Sequence, residues 1–163
     1  MLKVKSFARL AALAVVGSLA LAPVATSAAD DSVRSRLDLS GYKYEVDKDG
    51  DYKLVINYTA EKRTQLVWIS GSTESYGAFN VREIYSPAGR VKADGIDGTK
   101  ALDLMLRSGK TKLGDWEIRG DGLYYVIKVP EPFTADQLKS AIKLVAETAD
   151  NMEIELSGTR DAL

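Results

Sequence analysis

Residues 42–58 read YKYEVDKDGDYKLVINY, and this stretch decides the fold. Aromatic and aliphatic residues occupy every second position on both sides of a central turn. Such alternation is typical of half-buried strands, so the stretch predicts a β-hairpin. The alternating positions are Tyr42, Tyr44, Val46, Tyr52, Leu54, Ile56 and Tyr58.

The length of the turn follows from the faces of the two strands. A two-residue loop would pair Glu45 with Leu54 and mix charged with apolar side chains. A three-residue loop at 48–50 pairs Tyr44 with Leu54 instead, and it places Gly50 at the left-handed position that glycine adopts without steric cost. We therefore predict the three-residue loop, because the buried face fixes the register.

The segments on either side of this hairpin complete the first half of the domain. Residues 30–40 predict a short helix, since Val33 and Leu37 lie four apart. Residues 64–69 are apolar on both faces, which predicts a central strand. The polar segment 70–77 is expected to be a loop, and 78–86 the fourth strand.

The second half of the chain predicts a helix, a hairpin and a last helix. Residues 99–108 carry an apolar stripe at helical spacing. A two-residue turn near 120–122 pairs the Trp116 and Ile118 face with the apolar face of the following strand. The stripe of the first helix consists of Ala101, Leu102, Met105 and Leu106, and the apolar face of the second strand consists of Leu123, Tyr125, Ile127 and Val129.

The last helix has the strongest start signal in the sequence. Thr134 and Gln137 form a capping box, flanked by the apolar staple positions Phe133 and Leu138. Residues 152–156 alternate again, which predicts a short last strand or an extended tail. The expected order is α-β-β-β-β-α-β-β-α, an α+β fold with an antiparallel sheet and packed helices.

Composition excludes several classes of chemistry. The 163 residues contain no His and no Cys. A Ser–His–Asp triad, thiol redox chemistry, a disulfide framework and the usual zinc sites all need one or the other. We therefore expect no catalytic residue, no cofactor and no metal site.

Residues 1–29 have the three parts of a secretory signal peptide. Basic residues precede thirteen uncharged residues at 10–22, and small residues follow, so cleavage is expected after Ala28 or Ala29. Thirteen residues reach roughly 20 Å as a helix, too short to cross the ~30 Å hydrocarbon core of a bilayer. Lys3, Lys5 and Arg9 leave with the peptide, so the mature chain keeps 19 basic against 23 acidic residues, a net charge of −4.

The mature domain, 30–163, is thus expected in the periplasm or outside the cell. It has no segment that would anchor it in the membrane, and its net negative charge argues against nucleic acid as a partner.

Several short motifs suggest sites but have simpler explanations. DKDGD at 47–51 begins like a calcium loop, yet its Gly comes two positions too early, and the turn explains every residue. RGD at 119–121 coincides with the second hairpin turn. The acidic pairs Asp115/Glu117 and Glu153/Glu155 have strand spacing, so each is expected on one solvated face.

Aromatic residues are the best guide to a binding surface. Most follow the strand alternation and are expected in the core. Tyr76 in the polar loop does not, and neither does Tyr124, which shares a strand face with Val126 and Lys128. Exposed aromatic residues are enriched in protein interfaces, so Tyr76, Tyr124 and Val126 are the candidate partner-binding residues.

Three stretches together resemble the YbjN-domain family, whose fold is like that of type III secretion chaperones. They are LDLSGYKYEVDKDGD at 37–51, LGDWEIRGDGLYY at 113–125, and the last helix with AETADNMEIELSG at 146–158. The resemblance implies a module, often dimeric, that binds or regulates proteins without catalysis.

The sequence therefore favours an exported, non-catalytic protein-binding module that acts as an adaptor, a chaperone-like protein or a regulator, with a homodimer as one possible state. Two alternatives stay open. One is a small envelope enzyme or ligand carrier that uses carboxylates. The other is an inhibitor of a secreted hydrolase, with the loop at 70–77 as its insert.

Overall fold

Three helices and seven strands form an α+β domain in the computed structural model, which describes residues 31–158. The predicted signal peptide lies outside the described residues. Among the residues described, no helix is long and apolar enough to span a lipid bilayer. The elements are α1 (Asp31–Leu39), β1 (Tyr44–Val46), β2 (Tyr52–Tyr58), β3 (Arg63–Ile69), β4 (Glu74–Tyr76), β5 (Phe79–Arg90), α2 (Gly98–Ser108), β6 (Asp115–Arg119), β7 (Gly122–Glu131) and α3 (Ala135–Ser157).

All strand pairs of the sheet are antiparallel, in the order β1-β2-β3-β5-β7-β6, with the short β4 paired to the start of β5. The predicted register of the first hairpin is confirmed, since Tyr44 pairs with Leu54. Gly50 closes the three-residue loop with a φ of 88°. β3 is an interior strand, as its apolar faces predict.

The second hairpin also has its predicted register. Trp116 pairs with Tyr125 and Ile118 with Leu123, around a two-residue turn. Both pairs therefore place their side chains on the same face of the sheet, because alternate residues of a strand share a face.

The helices pack on one face of this sheet. α1 contributes Val33 and Leu37 to the core, α2 contributes Leu104, and α3 contributes a full-length stripe. The capping box of Thr134 and Gln137 is present at the start of α3. The buried stripe of α3 includes the predicted residues Leu138, Ala141, Ile142, Val145 and Ala149.

The prediction of a short strand or extended tail at 152–156 is wrong, because α3 continues as a helix to Ser157. No Pro or Gly interrupts the chain before Gly158, and Met152 extends the buried stripe three residues beyond Ala149. Arg63 on β3 also binds this part of α3, through Asp150 at 2.8 Å and Glu153 at 3.4 Å. The alternation that suggested a strand is therefore overridden by tertiary contacts.

The loop predicted at 70–77 contains a strand, and the fourth strand is longer than expected. Residues 74–76 pair with the start of β5, and the turn between them has only two residues. β5 continues through Pro87 to Arg90, with an irregularity between Pro87 and Gly89. Proline is tolerated at such irregularities because the ladder is already interrupted there.

The apolar stripe predicted on α2 faces outward instead of packing. Leu102, Met105 and Leu106 are 63%, 69% and 68% exposed, whereas Leu104 is buried. The inner side of α2 also carries Arg107, which binds Glu155 of α3 at 2.7 Å. The amphipathic pattern identified the helix correctly, but the apolar side is not the side that contacts the domain.

Candidate functional site

The face of the sheet opposite the helices carries aromatic and charged side chains at its centre. We call this surface the open face. Its central side chains come from β3, β5, β6 and β7, which are neighbours in the sheet. They are Trp68, Glu83, Tyr85, Glu117, Arg119, Tyr124 and Lys128.

Three aromatic rings form a row across the open face. Trp68 and Tyr85 are register partners on β3 and β5, and their rings stack with centroids 5.8 Å apart and planes 7° apart. Tyr124 on β7 meets Tyr85 edge to face, at 6.0 Å and 78°. Aromatic pairs of this kind are worth about 0.5–1.5 kcal/mol beyond their area burial. The row is therefore held in place before any partner binds.

Tyr85 is the fixed centre of the row. The guanidinium of Arg119 lies 5.2 Å from the centroid of the Tyr85 ring, and the Tyr85 hydroxyl donates to Asp51 at 3.3 Å. Burial and the neighbouring Asp51 carboxylate raise the pKa of Tyr85 well above its usual range. The phenol consequently stays neutral, and no acid–base role follows from it at physiological pH.

A network of four charges lies beside the aromatic row, on β5, β6 and β7. Arg119 binds Glu83 at 2.9 Å and Glu117 at 2.7 Å, and Lys128 binds Glu117 at 2.6 Å. Burial alone would raise the pKa of Glu117, but hydrogen bonds from Lys128 and Arg119 outweigh it and lower that pKa. The network holds charges of both signs on a surface that remains accessible.

Tyr124 projects from β7 over a glycine. A methyl group added at Gly122 would lie 2.5 Å from the Tyr124 ring, so the ring occupies the space that glycine leaves free. Tyr124 is half-buried, whereas Val126 is only 1% exposed. Val126 therefore offers a partner little surface, although it lies on the same face.

Tyr76 lies on the same side of the sheet as Tyr124. It pairs with Phe79 at the tip of the β4–β5 hairpin, and the two side chains are 61% and 63% exposed. Phe79 and Pro87, the partner of Tyr124, are eight positions apart on β5 and share a face. At ~3.3 Å per residue, Tyr76 and Tyr124 are separated by roughly 25 Å along one surface.

The DKDGD and RGD motifs have structural roles. Asp47 accepts hydrogen bonds from the backbone amides of Asp49 and Asp51, so it stabilises the turn. In the RGD tripeptide, Arg119 is bound by the open-face carboxylates and Asp121 accepts from the amide of Lys92. Within 31–158, no group of three or more acidic residues is arranged to hold a metal ion.

The two acidic pairs do not face each other. Asp115 and Glu117 share a strand face as predicted, and Glu117 is bound by cations. Glu153 and Glu155 lie on a helix instead, where Glu153 is buried near Arg63 and Glu155 binds Arg107.

Sequence reasoning missed Trp68, Tyr85 and Arg119 as members of this surface. A signal for the two aromatic residues is present, because each alternates with a core residue, Val67 or Ile84, on its own strand. The missing information was which strands lie side by side. β3 and β5 are neighbours in the sheet, although β4 lies between them in the sequence.

Within residues 31–158, a mainly apolar groove lies on the helix face. It has a volume of about 560 Å³ and lies between the first half of α3 and β7. Leu113, Val129, Phe133 and Leu144 are among its mainly apolar lining residues, and Asp136 is its one charged lining residue. The groove does not bring two carboxylates together.

No protein-family model matches the chain, and no curated protein is significantly similar to it.

Proposed function

We propose that the mature chain is an exported, non-catalytic protein-binding module that contacts its partner through the open face. The observation that carries this proposal is the preorganised row of Trp68, Tyr85 and Tyr124 on a sheet face that none of the helices within residues 31–158 covers. Aromatic anchors that are rigid before binding cost little conformational entropy on association.

The charges around the row support a protein partner. Arg119 and Lys128 face Glu83 and Glu117, so both signs are present within one small surface. Interfaces typically combine an aromatic centre with a polar rim, and the rim fixes register and partner choice. An adaptor, a chaperone-like protein or a regulator would each use such a surface.

A pulldown tests this proposal with residues 30–163 as bait in a mildly crosslinked envelope extract. Tyr124→Ala and Trp68→Ala are expected to lose the partner. Gly122→Ala is expected to weaken it, because the added methyl group displaces the Tyr124 ring without altering its chemistry. Leu144→Ala is the matched control, since Leu144 is 37% exposed on α3 and lies on the helix face.

Loss of partner in Tyr124→Ala and Trp68→Ala, with retention in Leu144→Ala, would support the open face as the binding surface. Equal recovery by all variants would contradict it. Circular dichroism of each variant separates a binding defect from a folding defect.

The β4–β5 hairpin supports a second candidate function, inhibition of a secreted hydrolase. Arg82, which is buried, binds the backbone carbonyl oxygens of Ser70 and Ser72, so the base of the hairpin is anchored. Its tip presents Tyr76 and Phe79 to solvent. A rigid, protruding segment of this kind is what a substrate-like inhibitor needs.

An inhibition assay distinguishes this candidate. Secreted serine proteases and muramidases would be assayed for residual activity with the wild-type chain and with Tyr76→Ala. Inhibition that is lost in Tyr76→Ala but kept in Tyr124→Ala would favour the hairpin over the central aromatic row. Absence of inhibition by the wild-type chain would remove this candidate for the enzymes tested.

A further inference from the structure

We propose that the open face binds an acidic peptide segment of the partner, with one apolar side chain in a cleft between β3 and β5 and a neighbouring carboxylate on Arg90. The inference rests on the proposed function, because the cleft adjoins the aromatic row, and it names the chemistry that the partner presents. We call this feature the β3–β5 cleft. Its lining includes Leu66, Trp68, Pro87, Arg90 and Tyr124.

The β3–β5 cleft exists because the two strands separate beyond the middle of the sheet. Among residues 31–158, their register pairs go no further towards Pro87 than Trp68 with Tyr85. From there a side chain bridges the strands, since the buried amide of Gln65 donates to the Ser86 hydroxyl at 2.8 Å and to the Pro87 carbonyl oxygen at 2.6 Å. Pro87 itself has no backbone N–H with which to continue the ladder. The gap between the strands is therefore part of the fold.

The β3–β5 cleft has room for a single apolar side chain. Its volume is about 160 Å³, and an apolar cavity of about 150 Å³ holds one benzene molecule. Gly89 and Gly122 form part of its wall, so no side chain at those positions fills the space. The rings of Trp68 and Tyr124 offer apolar contact, and an aliphatic or phenyl group that leaves water for this space stabilises a complex.

Arg90 gives the cleft a positive charge that no carboxylate within residues 31–158 neutralises through an ion pair. The carboxylates of the adjoining loops bind backbone amides instead. Asp94 accepts from the amide of Arg90 at 2.6 Å, and Asp121 accepts from the amide of Lys92 at 3.1 Å. The four charges of the open-face network bind one another. Charge complementarity therefore favours a carboxylate on the partner.

The Tyr124 hydroxyl is a second hydrogen-bond donor beside Arg90. A methyl group added at Gly122 would lie 2.9 Å from the hydroxyl oxygen of Tyr124, and Gly122 is the register partner of Arg90. The hydroxyl therefore lies over the Gly122–Arg90 pair. A carboxylate at this place can accept hydrogen bonds from the hydroxyl and the guanidinium together, because it has two acceptor oxygens.

A peptide array tests the proposal with the mature chain, 30–163. Each short peptide has Gly-Ser flanks and carries Leu, Ile or Phe next to Asp or Glu, and a matched peptide carries Asn or Gln instead of the acid. Fluorescence anisotropy then gives the Kd of the best-retained acidic peptide and of its amide counterpart. The acidic peptide is expected to bind about 10-fold more tightly, because charge-assisted hydrogen bonds are stronger than neutral ones. Glycine in place of its apolar residue should weaken binding by about 10-fold as well.

Variants of the chain assign this preference to Arg90. Arg90→Ala is expected to raise the Kd of the acidic peptide by about 10-fold and to leave that of the amide peptide unchanged, whereas Arg90→Lys should retain part of the preference. Arg90→Ala keeps the backbone hydrogen bond to Asp94, so the loop is expected to fold. Lys139→Ala is the matched control, since it removes the same charge from the exposed side of α3 and should change neither Kd.

Equal Kd values for the acidic and amide peptides overturn the proposal, as does a preference that survives in Arg90→Ala or an array from which the wild-type chain retains no peptide. The envelope pulldown, run with Arg90→Ala, separates this inference from the proposed function. A partner that is lost from Tyr124→Ala but fully recovered by Arg90→Ala overturns acidic recognition alone. Full recovery by both variants contradicts the proposed function as well.

Discussion

The two faces of the sheet differ in how exposed their ion pairs are to water. On the helix face, the ion pair that joins β3 to α3 is buried: Arg63 is 6% exposed and Glu153 is 1% exposed. On the open face, Glu117 and Lys128 are bound to each other but remain 28% and 54% exposed. An ion pair is therefore buried on one side of the sheet, whereas an ion pair on the other side is accessible to water.

This difference predicts where substitutions destabilise the fold and where they do not. A buried ion pair that loses one partner leaves a charge without compensation in a region of low dielectric constant. An accessible pair loses little, because water replaces the missing partner. Substitutions on the helix face should therefore change folding, whereas substitutions on the open face should change binding with little effect on folding.

The largest expected effect is that of Arg63→Met on the helix face. It removes the cation that binds Asp150 and Glu153, and the free energy of unfolding should fall by about 3–5 kcal/mol. Urea denaturation followed by circular dichroism measures the change. Adding Glu153→Gln to Arg63→Met should recover part of the loss, and a double variant no more stable than the single one would argue against an uncompensated charge.

A slightly smaller effect is expected from truncation of the core on the same face. Ile142 of α3 is fully buried, so Ile142→Ala should lower the free energy of unfolding by about 2–4 kcal/mol through the cavity it leaves. The control is Leu144→Ala, since Leu144 is 37% exposed on the same helix. Urea denaturation of the two variants should place Leu144→Ala nearer to the wild-type protein, and equal losses would contradict the assigned burial.

A smaller effect on stability is expected from the aromatic row of the open face. Tyr124→Ala removes an edge-to-face contact with Tyr85 and should cost about 1 kcal/mol. The same denaturation experiment measures it. A loss as large as that of Ile142→Ala would show that Tyr124 belongs to the core and would weaken its assignment to recognition.

The smallest effect is a pH-dependent one at Glu117. Its pKa is lowered in the folded chain, so its ionised form stabilises the fold above the pKa that it has in the unfolded chain. This contribution is lost as the pH falls through the lowered pKa. The stability difference between wild type and Glu117→Gln should thus stay below about 1 kcal/mol at neutral pH and shrink on acidification. A difference that grows towards acidic pH would contradict the network.

Local pattern was sufficient for much of the fold. The register of both hairpins follows from the alternation of apolar residues, because a slip by one residue would turn every side chain to the other face. The start of α3 follows from the capping box of Thr134 and Gln137, which is a contact within one turn. These features depend on residues close together in the sequence, so the sequence alone could predict them.

Features that depend on distant contacts were not predictable in the same way. Residues 152–156 form a helix because their neighbours pack on β3 and β5, although their alternation suggested a strand. The stripe of α2 identified a helix without indicating whether the stripe faces this domain. Tyr76 and Tyr124 were found individually, but their common face depends on the pairing of β4, β5 and β7.

Site-specific photocrosslinking within the cell envelope tests the central claim most directly. A benzophenone side chain would replace Trp68 or Tyr124 on the open face, or Lys139 on the exposed side of α3, in otherwise wild-type chains. The account predicts one crosslinked product of the same mass from both open-face positions and none from Lys139. A product formed from Lys139 alone would contradict it, because the partner would then contact the helix face.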